Sequence, residues 1–272
     1  MKDKREGLRD AKRIVIKVGT STLTYDTGKI NFTRIDKLVR IISDLMNQEK
    51  EVVLVTSGAI GVGVGKLKLS GKPKSIREKQ AVAAVGQCEL MNIYSRFFSE
   101  YSQIVGQILL TRDVIENEGG RNNVINTFET LIEKGIIPIV NENDSVSVEE
   151  IEFGRYRVFG DNDTLSAIVA KLVNADLLVI LSDIDGFYDS DPRTNHDSKM
   201  ISIIDEINED VKKCAGGAGS DRGTGGMVTK LQAAKITMEA CIDMVLINGQ
   251  KPELILEVIE GNDIGTLFRA RK

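Results

Sequence analysis

EVVLVTSGAIG, residues 51–61, decides the fold. Its first six residues are nearly all apolar and run without alternation until Ser57-Gly58-Ala59. A strand with one wet face would alternate polar and apolar positions. An unbroken run implies a strand covered on both faces, as in a parallel sheet between two layers of helices. The flanks agree. Upstream, TRIDKLVRIISDLMNQ (33–48) sets Ile35, Leu38, Val39, Ile42, Leu45 and Met46 at helical spacing, and Thr33 with Asp36 resembles a capping box. Downstream, a long helical region covers about 75–99.

The same rhythm extends in both directions. RIVIKV (13–18), QIVGQILL (103–110), IIPIV (136–140), LLVILS (177–182) and DMVLING (243–249) read as strands. NNVINTFETLIEKG (122–135) reads as a helix stopped by Gly135. Asp161-Asn162-Asp163-Thr164 opens the helix LSAIVAKLVNA, and TKLQAAKITMEA (229–240) follows a glycine stretch at 216–226. IEFGRYRVFG (151–160) alternates and carries glycines, the pattern of a short hairpin. Strands alternating with helices predict an α/β fold, a three-layer sandwich with a central, mostly parallel sheet. With no internal repeat and no linker, residues 1–272 read as one domain with two lobes.

Composition removes several classes of function. Net charge is −4 with no long basic run, which argues against nucleic acid as the main partner. Aromatics are 5% and tryptophan is absent, so a base-stacking platform is not expected. No apolar segment reaches bilayer length, and MKDKREGLRDAKR has no secretory apolar core, so a cytoplasmic location and no membrane partner are expected. Cys88, Cys214 and Cys241 lie far apart without metal-type spacing and read as free thiols. The single histidine, His196, sits in a loop with no local support for a catalytic triad.

The polar residues cluster where strands end: GTS, SGA, NEND, SDID and NGQ. Each alone is ordinary turn chemistry. Five on one sheet edge point to a ligand, because open α/β sheets bind beyond the carboxyl ends of their strands. Lys17 stands near the end of an apolar strand, where it either snorkels into water or meets an anion in the crevice. Gly19 beside it would let backbone approach a phosphate. Lys230 stands near the start of a helix, where a cation opposes the dipole unless an anion is bound there. The amides of Gly225, Gly226 and Met227 would then donate to that anion. Asp161 reads as an N-cap, whereas Asp163 could project into the crevice and orient both lysines.

Together these stretches resemble the amino acid kinase family. The motifs are IVIKVGTSTLT (14–24), VLVTSGAIGVG (53–63), AAVGQ (83–87), LLTRD (109–113), PIVNENDSV (138–146), FGDNDTLSA (159–167), LLVILSDIDGFYDSDPR (178–193) and GTGGMVTKLQAA (223–234). The set is similar above all to members that phosphorylate the side-chain carboxylate of L-glutamate, the first step of proline biosynthesis. The resemblance implies an amino-acid lobe over about 10–170 and a nucleotide lobe over about 171–272. It implies ATP and Mg2+ as cofactors, no protein metal site, proline as a possible feedback inhibitor, and a homo-oligomer. Some relatives carry a further C-terminal domain of RNA-modification type, which is not expected here because the sequence ends shortly after the kinase pattern.

Residue by residue, the resemblance implies that Lys17, Lys230 and Asp163 are catalytic. Ser57, Asn141, Asp144 and Asn162 match the amino acid site. Lys17, Ser182, Asp183 and residues Thr224, Gly225, Gly226, Met227, Val228, Thr229 and Lys230 match the nucleotide site. A carboxylate nucleophile is already ionised, so no general base is required, and two lysines would gather charge on the transferring phosphoryl group. The alternatives are a sister kinase for another acidic substrate and a non-catalytic sensor. A sensor would be expected to lose Lys17, Asp163 or Lys230, and all three are present. A dinucleotide oxidoreductase is disfavoured because GTSTLT replaces G-x-G-x-x-G after the first strand.

Overall fold

The computed structural model describes residues 4–25, 29–146, 161–215 and 226–271. The hairpin expected at 151–160 lies outside these residues, as do Thr224 and Gly225.

The strands are β1 (Arg13–Val18), β2 (Glu51–Thr56), β3 (Val105–Leu110), β4 (Ile137–Glu142), β5 (Leu177–Ser182), β6 (Ile203–Ile204), β7 (Asp243–Asn248) and β8 (Thr266–Phe268). The helices are α1 (Thr20–Leu23), α2 (Phe32–Asn47), α3 (Ala59–Lys66), α4 (Ile76–Ser99), α5 (Arg112–Glu116), α6 (Glu118–Glu133), α7 (Asn162–Leu172), α8 (Glu209–Ala215), α9 (Met227–Glu239) and α10 (Leu254–Ile259). All eight strands form one sheet in the order β3-β4-β2-β1-β5-β7-β8-β6. Pairing is parallel from β3 through β7, and only β8 runs antiparallel to its neighbour β7. The expected α/β sandwich is therefore the fold. The strands ending in GTS, SGA, NEND, SDID and NGQ are β1, β2, β4, β5 and β7, contiguous in the sheet and pointing the same way.

Alternation along β1 assigns its residues to the two layers. Ile14, Ile16 and Val18 pack with Leu38 of α2, Leu90 of α4 and Val258 of α10. Val15 packs on the other face with Phe128 of α6, Leu165 of α7 and Leu231 of α9. Lys17 follows Val15 by two residues, so it faces the α7–α9 layer.

Three local readings change. Helix α2 is capped by Asn31, whose side chain accepts a hydrogen bond from the Arg34 amide, and not by Thr33. Periodicity missed the start because Phe32, 55% exposed, stacks on Phe97 with centroids 6.1 Å apart instead of entering the core. Helix α6 begins four residues earlier than expected, capped by Asn117. The glycine-rich AIGVGVGK forms α3 because its glycines permit close helix packing: a Cβ at Gly63 would lie 2.1 Å from the Val82 carbonyl oxygen of α4. No described helix is long and apolar enough to cross a membrane.

Candidate active site

The C-terminal rim of the sheet is assembled from five strand ends, and the two lysines meet there. Lys17 Nζ, at the end of β1, lies 2.6 Å from Asp163 Oδ1. Lys230 Nζ, in the first turn of α9, lies 3.1 Å from Asp163 Oδ2. Asp163, in the first turn of α7, is 0% exposed, and both lysines are buried. Burial is the largest influence on Asp163 and would raise its pKa, but the two ammonium groups together outweigh it and hold the carboxyl below its usual range. Thr229 Oγ1 stands 3.2 Å from Asp163 Oδ2 and donates to the Gly226 carbonyl at 2.8 Å.

The position of Asp163 is prepared locally. Asp161, extended at φ −166°, caps α7 by accepting from the Asp163 amide at 3.0 Å. Burial and the neighbouring Asp163 charge push the Asp161 pKa up. Its second oxygen, Oδ2, is buried without a hydrogen-bond partner. On the other side of the sheet centre, Gly58 takes φ +98°, a conformation natural to glycine, and turns the chain from β2 into α3.

Ser57, Asn141 and Asn162 are brought together as expected. Asn162 Nδ2 donates to Ser57 Oγ at 2.8 Å and lies 3.4 Å from Asn141 Oδ1. Asn141 Nδ2 donates to Gln87 Oε1 of α4 at 2.8 Å. Asp144 lies in the turn after β4 and makes no hydrogen bond or ion pair with a described residue. Burial pushes its pKa up. Such a carboxylate gains from any ligand that brings an ammonium.

Gln87 was not anticipated as a site residue. It lies inside a helix, and AAVGQ carries no polar cluster of the kind found at strand ends. The available signal was the stretch AAVGQ itself, quoted among the family motifs, with Gln87 as its one polar side chain.

On the other half of the rim, Ser182 and Asp183 follow β5. Ser182 Oγ donates to Asp183 Oδ1 at 3.2 Å, and Arg193 pairs with Asp183 Oδ2 at 2.7 Å. They lie beside the Lys17–Asp163–Lys230 group in the sheet because β5 neighbours β1. Gly226 caps α9 and, lacking a side chain, places no side-chain hydrogen bond on the first amides of the helix, the kind of start that suits an anion. Met227 and Val228 form the start of that helix, with Val228 exposed.

The sequence profile of the amino acid kinase family matches residues 12–248. A glutamate 5-kinase of Clostridium perfringens is 66% identical, covering 98% of this chain and 99% of that protein. A glutamate 5-kinase of Listeria monocytogenes is 59% identical, covering 98% and 96%. Among solved structures, the carbamate kinase of Giardia lamblia bound to AMP-PNP shares the fold with a TM-score of 0.67 and 17% identity, covering 97% of this chain and 100% of that one. With that profile spanning most of its length and relatives this similar end to end, the chain belongs to the amino acid kinase family, among its glutamate 5-kinases.

Proposed function

We propose that this protein transfers the γ-phosphoryl group of ATP to the side-chain carboxylate of L-glutamate, giving L-glutamyl 5-phosphate and ADP. The observation that carries the reading is the convergence of Lys17 and Lys230 on one buried carboxylate, Asp163. Named relatives of high identity support the choice of substrate.

The glutamate carboxylate, with a free pKa of roughly 4.3, is ionised at neutral pH and needs no base. The difficulty is to bring it against a second anion. Lys17 from one side and Lys230 from the other neutralise the moving phosphoryl group, and Asp163 holds both ammonium groups in place before substrates arrive. Asp144 pairs with the substrate ammonium, and Ser57, Asn141 and Asn162 hold its polar groups. The uncapped start of α9, with Gly226, Met227, Val228 and Thr229, receives phosphate oxygens together with Thr224 and Gly225, while Ser182 and Asp183 border the nucleotide.

Magnesium would neutralise charge on the ATP oxygens, with phosphate and water as its principal ligands. An amino acid lobe over about 10–170 and a nucleotide lobe over about 171–272 follow from this assignment. Feedback inhibition by proline, assembly into a homo-oligomer and a cytoplasmic setting complete the proposal, supported by family membership.

Incubation with ATP, Mg2+, hydroxylamine and a panel of carboxylic acids tests it. Glutamate alone should yield a hydroxamate. A hydroxamate from a different acid, with none from glutamate, overturns the assignment.

A further inference from the structure

The polar network behind the rim has a direction. Gln87 is 8% exposed and sits in the interior of α4. Its Oε1 accepts from Asn141, which leaves Nε2 as a pure donor. That Nε2 is buried and has no hydrogen-bond partner. At the far end of the chain of amides, Asn162 gives its Nδ2 to Ser57 and Asn141, and its Oδ1 is a buried acceptor without a partner. The chain Gln87–Asn141–Asn162 thus ends in an open donor on one side and an open acceptor on the other. Buried polar groups without partners are costly, and two at opposite ends of one network beside the strand ends form a pair that a single ligand would complete.

The ligand must accept at Gln87 and donate at Asn162. An α-amino acid does both through its carboxylate and its ammonium. The arrangement across the sheet selects which carboxylate of glutamate is involved. Asn141 is the penultimate residue of β4 and Lys17 that of β1, with β2 between them, so the two lie roughly 10 Å apart at ordinary strand spacing. An extended glutamate spans most of that distance. With its side-chain carboxylate at Lys17, its α-carboxylate falls on the β4 side, where Gln87 donates.

We propose that Gln87 binds the substrate α-carboxylate through Nε2 and so sets the acceptor specificity, with Asn141 fixing the orientation of its amide. Packing keeps it there. Gly86 lets α4 press on α3, because a Cβ at that position would lie 1.7 Å from the Ala59 carbonyl oxygen. The inference rests on the proposed glutamate reaction.

Two variants test it. Gln87→Glu keeps an acceptor for Asn141 and removes the donor; Gln87→Met removes the hydrogen bonds without adding charge. Each should raise KM for glutamate about 10- to 100-fold, the range for a hydrogen bond to a charged group, with kcat and KM for ATP within about threefold of the parent. The inhibition constant of 4-aminobutyrate, which lacks the α-carboxylate, should not move. An unchanged KM for glutamate, a parallel loss in kcat and both KM values, or an equal weakening of 4-aminobutyrate overturns the role of Gln87 while leaving the reaction in place. Failure of the unsubstituted protein to phosphorylate glutamate overturns the reaction itself, and the role of Gln87 with it.

Discussion

Lys17 and Lys230 share one carboxylate, and this determines how substitutions will combine. Lys17→Met or Lys230→Met should each lower kcat by about 10²- to 10³-fold, the scale of removing one preorganised charge from a transition state. The two losses should not multiply, because residues acting as a unit are non-additive. Steady-state rates of the single and double variants check this; a fully multiplicative double variant would show that the lysines act separately. Asp144 makes the opposite trade. Its pKa is raised by burial, so its ionisation favours the unfolded chain. That penalty is absent below the ordinary carboxylate pKa of about 3.9, grows as pH rises, and is complete above the raised folded value. Asp144→Asn should therefore have a higher Tm than the parent near neutral pH and an equal one in acid, while glutamate binding weakens severely. Thermal melts across pH, paired with KM for glutamate, read both effects.

Helices α3 and α4 carry the most exacting packing among the elements described. Gly63 and Gly86 lie where backbone meets backbone, and a side chain at Gly86 would also come within 2.5 Å of the Gly63 amide nitrogen. Gly86→Ala should cost about 1–3 kcal/mol, the range for overpacking, seen as a lower urea midpoint. KM for glutamate should rise in the same variant because Gln87 moves with the helix. Here the sequence was a partial guide. Apolar runs located β1, β2, β4, β5 and β7 to within a residue or two, since a strand buried on both faces leaves little else to choose. AIGVGVGK resisted reading because helix propensity penalises glycine. Its reason for being helical lies in a partner more than ten residues away. Strands β6 and β8, two and three residues long, are too short to carry a period of their own. Lys17 and Lys230 were legible as charges in unfavourable places. Gln87 was not, because nothing in a buried amide's neighbours along the chain shows that its donor is unmet.

At the level of the whole molecule, the two rims of the sheet differ in how many buried polar atoms their strand-end residues leave unpaired. At the N-terminal rim, polar groups satisfy one another: Arg13 pairs with Glu51 at 2.7 Å and Glu129 at 2.6 Å, and Asp176 accepts from the amides of Lys12 and Arg13. Arg5, 1% exposed, binds the carbonyls of Ser202, Ile264 and Gly265, tying the start of the chain to its end. Arg5→Met should therefore lower stability by about 1–3 kcal/mol through unpaired buried carbonyls, while KM for both substrates stays at the parent value. Denaturant unfolding and kinetics on the same preparation decide it; a shift in KM would show that the fastening reaches the site.

Gln87 Nε2, Asn162 Oδ1 and Asp161 Oδ2 lack hydrogen-bond partners at the C-terminal rim, beside the paired Lys17–Asp163–Lys230 group. This division of labour bears on how such a protein can change its trade. Mutations that re-cut the reactive mouth for a longer, shorter or differently charged acid disturb atoms that contribute little to cohesion. The same scaffold can accordingly drift between acceptors while its fastened side keeps it folded throughout.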